Sequence, residues 1–126
     1  MSKKNIAIDY LKLLEQGNVP QIITLFHSEG MVDSPIYGSM KASLFYPKLN
    51  NDTQNSQLKL QGIFEDFETG DLAIYFNYIW TLKNNQQVVF DVVDILEFDT
   101  QHKIKKLKII YDTVVARSLQ KQLKGK

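Results

Sequence analysis

The sequence contains no cysteine, which excludes a disulfide framework, thiol chemistry and any cysteine-ligated metal. It has one arginine, Arg117, and two histidines, His27 and His102, far apart and without ligand spacing. No glycine-rich phosphate loop is present, and no Ser/His/Asp order can be assembled. Neither sign of charge dominates: 15 basic residues face 14 acidic ones, a net charge of +1. Such a balance gives no electrostatic footprint for nucleic acid or an anionic membrane. The lysines near the ends carry no interleaved aromatic stacking set and read as solvated surface. No apolar run approaches 18 residues, and MSKKNIAIDY lacks the apolar core of a secretory signal. These absences lead to the expectation of a soluble, cytoplasmic protein with no cofactor, no metal, no nucleic acid and no membrane partner.

What remains is an ordinary globular composition. With 126 residues, 44% hydrophobic and 23% charged, the chain suits one domain over residues 1–126, with a single core and one modest pocket. Ile6, Ala7, Tyr10, Leu11, Leu13 and Leu14 follow helical spacing, and Gly17 is placed to cap the helix. A second short helix is expected to open at Pro20 and carry Ile22, Ile23, Leu25 and Phe26. MVDSP reads as extended and is broken by Pro35 and Gly38. Ser39–Leu49 reads as a third helix that Pro47 ends or kinks. The remainder reads as an antiparallel meander of four strands, about Ser56–Glu68, Leu72–Leu82, Gln87–Phe98 and Lys103–Tyr111, joined by turn-rich ETGD, KNNQ and DTQH. A last short helix is expected from Asp112, with Val114, Val115, Leu119 and Leu123. Helices first and strands afterwards make an α+β fold with the helices on one face of the sheet.

One stretch of this meander poses a question. In VVFDVVDILEFD, Val88 to Asp99, period two places Phe90, Val92, Asp94, Leu96 and Phe98 on one face. Four large apolar residues make this the core face, so Asp94 points inward. A buried carboxylate is costly unless paired or protonated. Three readings stay open at this point: a structural aspartate with a partner, a strand whose solvent face is the one holding Asp94, or a functional acid.

Three stretches decide where to look. DYLKLLEQGNVPQIITLF followed by MVDSPIYG, then SLFYPKL, then VVDILEFDTQHKIKKLKIIYD, resemble in this order the nuclear transport factor 2-like (cystatin-like) fold. Within it they resemble the bacterial ketosteroid isomerases and SnoaL-like polyketide cyclases. The resemblance implies a cone-shaped α+β domain, a strongly curved antiparallel sheet, a homodimer and a pocket for a small lipophilic ligand or substrate. In ketosteroid isomerase an Asp base works with an oxyanion hole made of a Tyr and a protonated Asp. By resemblance, Tyr10 takes the place of that tyrosine and Asp94 that of the protonated acid. Tyr46 takes the place of a tyrosine bonded to the first, Phe26 that of a further tyrosine in the network, and Tyr111 that of an aromatic pocket wall.

The base position departs from the family. The family pattern is acid-acid-Pro, and here it reads Asp33-Ser34-Pro35, which puts Ser34 where the base stands and Asp33 one residue early. On an extended segment one residue reverses the side chain's direction. The resemblance thus implies acid–base chemistry on a lipophilic carbonyl compound (isomerisation, cyclisation or dehydration) with donors present and the acceptor in question. A binder of an apolar ligand and a dimeric scaffold are the alternatives on the same fold. Epoxide hydrolysis, also found on it, needs an Asp-Arg-Asp set that Arg117 alone, after the last strand, does not suit.

Overall fold

The computed structural model describes residues 2–114 and 121. Helix α1 (Lys3–Gln16) starts where the Ser2 side chain accepts the Asn5 N–H and ends at Gly17, whose φ of 68° lets its N–H turn back to the Leu13 and Leu14 carbonyls. It buries Ile6, Ala7, Tyr10, Leu11 and Leu14. Helix α2 (Val19–Thr24) is capped by Asn18 and holds Pro20 in its first turn. Strands β1 (Phe26–Ser34) and β2 (Gly38–Lys41) form a hairpin, followed by helix α3 (Ala42–Asp52). Strands β3 (Thr53–Glu65), β4 (Leu72–Leu82), β5 (Gln87–Phe98) and β6 (Ile104–Ile110) complete one six-stranded sheet of order β2-β1-β6-β5-β4-β3.

Four differences from the sequence reading stand out. Leu25 and Phe26 are not helical: Leu25 caps α2 and Phe26 opens β1. Ser39–Lys41 is strand rather than helix, because Met31–Ser34 offers it an antiparallel partner. Pro47 lies inside α3 without ending it. The carbonyl it leaves without an intrahelical donor belongs to Ser43, which is exposed to water. Finally the sheet is mixed: β1 runs parallel to β6 while the other pairings are antiparallel. The helix expected beyond Asp112, with Val115, Leu119 and Leu123, and also Arg117, lie outside the described residues apart from Asp112–Val114.

The parallel pairing rests on a close approach. Between Phe26 and Met31 the register shifts, and a Cβ on Gly30 would lie 2.8 Å from the Ile104 carbonyl oxygen. Only glycine allows β1 to reach β6 there. Beyond the shift Val32 pairs with Leu107 and Asp33 with Lys108. Inward-facing residues of β4, β5 and β6 then meet the buried stripe of α1 and Ala42, Phe45 and Tyr46 of α3 to form the core. No helix among the described residues is long and apolar enough to cross a membrane.

Candidate functional site

The alternation read in β5 is the one observed. Val88, Val92, Asp94 and Leu96 are buried, and Asp94 is 1% exposed. Its cross-strand neighbours are Ile74 on β4 and Ile109 on β6, so apolar side chains flank the carboxyl on both sides. Its Oδ1 has no hydrogen-bond partner. Burial raises the Asp94 pKa well above the usual carboxylate range, because the charged form loses hydration that nothing replaces. Burial thus favours the neutral acid, the form that carries one O–H donor.

Asp94 lines a small, almost wholly apolar cavity together with Tyr10, Ser34, Phe90, Ile109 and Tyr111. Phe45, Phe76, Tyr78 and Trp80 form its other walls. About 40 Å³ of it is open, space for one or two water molecules. Tyr10 reaches it from α1, and its hydroxyl lies 2.7 Å from that of Tyr46 on α3, where either oxygen can donate. Burial pushes the Tyr10 hydroxyl well above the usual phenol range, and Tyr46 and Asp94 push the same way. Burial likewise raises Tyr46, although the bond from Tyr10 works against it. Phe26 sits where it packs on Tyr46, ring centres 5.6 Å apart, and does not line the cavity. Phe90 stacks on Tyr111 at 4.6 Å and on Tyr78 at 5.4 Å, so one wall is a run of three rings.

The chain separates Asp33 from Ser34. Ser34 is buried and lines the cavity. Asp33 does not line it and is half-buried on the opposite sheet face, where its strand neighbours are Ser39 and Lys108. Val32 pairs with Leu107 and Asp33 with Lys108, so Ser34 continues into the row of Ile109, two strands from Asp94. Two strand spacings put about 10 Å between their backbones. The Ser34 oxygen accepts the N–H groups of Ile36 and Tyr37, both at 3.3 Å. What it has left to offer the cavity is its proton. Asp94 is the only carboxyl among the lining residues.

The sequence reading missed three polar members of this wall. Tyr37 donates to Asp52 at 2.5 Å, and Tyr78 shares a 2.8 Å bond with Ser56. Trp80 donates to Thr53 at 2.8 Å. Burial pushes the Tyr78 hydroxyl up to about 12. The alternation Leu72, Ile74, Phe76, Tyr78, Trp80, Leu82 was a legible signal for the β4 pair. His27 is exposed and accepts the Glu29 N–H on its Nδ1, away from this cavity. Among the described residues no three His, Asp or Glu side chains converge into a metal site.

Compared with family models and with curated proteins, the sequence gives no match. Solved structures do match. An NTF2-like protein of unknown function from Burkholderia pseudomallei K96243 superposes with a TM-score of 0.81 at 10% identity, over 94% of this chain and 97% of that one. A hypothetical protein with a ketosteroid isomerase-like fold from Catenulispora acidiphila DSM 44928, in complex with trimethylamine, gives 0.76 at 16%, over 90% and 91%. A protein from Shewanella putrefaciens CN-32 assigned as a SnoaL-like polyketide cyclase gives 0.71 at 10%, over 100% and 88%. Identities this low speak for the fold alone. The chain has the nuclear transport factor 2-like, cystatin-like fold.

Proposed function

We propose that this chain is a small-molecule pocket protein, binding a lipophilic compound through one oxygen that accepts hydrogen bonds from Tyr10 and from protonated Asp94. One observation carries the reading: a fully buried carboxyl with an unpartnered oxygen, on a residue that lines an apolar cavity together with Tyr10. Leaving such a group unpaired costs about 1–3 kcal/mol, a cost that a ligand with the right oxygen offsets. Trimethylamine on the Catenulispora relative supports a small organic ligand on this fold. A ring-sized ligand exceeds the open volume, so Phe90 and Tyr111, both half-buried, turn aside to admit it.

The test is titration with 2-naphthol and with naphthalene, followed by ligand fluorescence. Naphthol binding that depends on its hydroxyl and is weakened by Tyr10→Phe supports the proposal. Equal affinity for the two, or binding of neither, removes it.

A second reading adds turnover. Tyr10 and Asp94 stabilise a developing enolate oxygen, a role worth several kcal/mol in a dry site, for isomerisation, cyclisation or dehydration of a carbonyl compound. The upward shift of the Asp94 pKa by burial favours it, since it favours the neutral acid that can donate. The serine in the base position weighs against it for substrates that hold their proton tightly.

We also propose a homodimer through the outer sheet face. Tyr75, Val89 and Ile110 are exposed there, with Ile79, Val93 and Ile95 half-buried between them. The row Tyr75–Val93–Ile110 and the pair Ile79–Val89 are apolar, with the polar pair Asn77–Asp91 between them. Exposed apolar residues grouped this way suit an interaction surface, and self-pairing of one patch is the commonest closed arrangement.

A further inference from the structure

Behind the apolar cavity lies a second, polar depression. It is open to solvent, about 170 Å³ in volume, and bounded by the end of α1, the start of α2, the end of α3 and the start of β3. Glu15, Gln16, Asn50, Gln54 and Asn55 give it a polar lining that holds water readily. Two of its lining residues, Tyr46 and Ser56, are each one hydrogen bond away from a residue of the apolar cavity. Tyr46 meets Tyr10 at 2.7 Å. Ser56 meets Tyr78 at 2.8 Å. Tyr10 and Tyr78 both line the cavity, and neither Tyr46 nor Ser56 does. Residues that line the groove and residues that line the cavity are thus joined twice by a bond between hydroxyls.

We propose that the pairs Tyr46–Tyr10 and Ser56–Tyr78 are proton relays between the groove and the cavity. The inference rests on the ligand site described above for its purpose, and it adds a route that site needs. The cavity has room for one or two water molecules at most, and its lining is almost wholly apolar, so a chain of hydroxyls gives the ligand oxygen and Asp94 a second route for a proton. A hydroxyl both donates and accepts, so a chain of two passes a proton without storing one. In the first relay a groove water gives a proton to the Tyr46 oxygen as Tyr46 gives its own to Tyr10, and the hydroxide left in the groove is neutralised by bulk solvent. Tyr10 gives its proton to the acceptor in the cavity. Three O–H bonds break and three form, and neither phenol is left charged. Passing the protons in concert matters, because burial disfavours the ionised form of either phenol. Reversal of the same steps returns a proton to the groove once both hydroxyls have turned.

The relay predicts a result opposite in sign to that of a merely structural bond. Removing a buried hydroxyl that only supports the packing loosens its neighbour and speeds exchange of the neighbour's proton with solvent. Removing a relay member slows it. The experiment uses the full chain with tyrosine labelled at Cζ, in mixed light and heavy water, where slow hydroxyl exchange separates the protonated and deuterated signals. Tyr46→Phe is expected to slow exchange of the Tyr10 hydroxyl at least tenfold and to leave Tyr78 unchanged. Ser56→Ala is expected to slow Tyr78 and leave Tyr10 unchanged, an independent arm should the first variant fold poorly. Exchange that is unchanged or faster in both variants overturns the proposal. So does exchange that Tyr111→Ala accelerates while Tyr46→Phe leaves it alone, which places the route at the aromatic wall. No ligand enters the measurement, so failure here is distinct from failure of naphthol to bind.

Discussion

Asp33 and Ser34 are neighbours in the chain and occupy opposite faces of β1: the serine lines the apolar cavity, and the aspartate sits on the outer face beside Lys108. The carboxylate is therefore on the wrong side of the sheet to remove a proton from a ligand. Replacing Ser34 with Asp moves it across. The local backbone suits the change, since an aspartate can accept the Ile36 and Tyr37 N–H groups that Ser34 accepts now. Isomerisation of a β,γ-unsaturated cyclohexenone is expected to rise by about a hundredfold to ten-thousandfold in Ser34→Asp. Asp33→Ala should leave the wild-type rate as it is. An active wild type silenced by Asp33→Ala refutes this assignment.

Asp94 is expected to titrate well above the ordinary range, as followed by carboxyl-carbon NMR. Its raised pKa means that the native state holds a proton the unfolded chain releases near pH 4. Stability then falls as pH rises, since the unfolded state binds fewer protons, by up to about 1.4 kcal/mol per pH unit. Asp94→Leu lacks this dependence. Its melting temperature should exceed the wild type's at pH 7 by a margin that narrows steadily as pH falls toward 4. A titration near pH 4 in the native protein ends the site assignment.

Tyr10→Phe removes one donor and leaves the ring in place. A bond to a neutral oxygen contributes about 0.5–1.5 kcal/mol net, so naphthol affinity should fall about twofold to tenfold. Calorimetry on the variant measures this directly. An unchanged affinity means the ligand oxygen sits elsewhere.

The homodimer is tested on its own face. Val93 lies between Tyr75 on β4 and Ile110 on β6, and Val93→Asp places a charge in the middle of that apolar row. Sedimentation should give a dimer for the wild type at micromolar concentration and a monomer for the variant. A monomeric wild type removes the interface.

Much of this was legible in the sequence for a physical reason. Period two in β5 orients Asp94 whatever lies around it, and a 3.6 period puts Tyr10 on the inner stripe of α1. Both signals are local. The β1–β6 pairing was not legible, because Phe26–Ser34 carries four exposed or half-buried residues in its first five positions after Phe26 and its register depends on the distant Ile104 carbonyl. The strand Gly38–Lys41 has one half-buried residue in four and so shows no alternation. The Ser56–Tyr78 bond was invisible for a similar reason: it joins residues on two strands whose register is set by shifts between Thr53 and Asn55 and between Leu60 and Gly62.

The pairing of β1 with β6 also sets an order of assembly. Phe26 pairs with Ile104 and Asp33 with Lys108, so the ends of a loop of more than seventy residues must meet before the β1–β2 hairpin joins the rest of the sheet. During synthesis the first helices, β1 and β2 emerge with no sheet to join, while β3, β4 and β5 can pair as they appear. Closing a distant parallel contact is slow. A chain halted before Ile104 would display the open edge of β5 and the unpaired edge of β1 together, which is the state in which this protein is most exposed to aggregation.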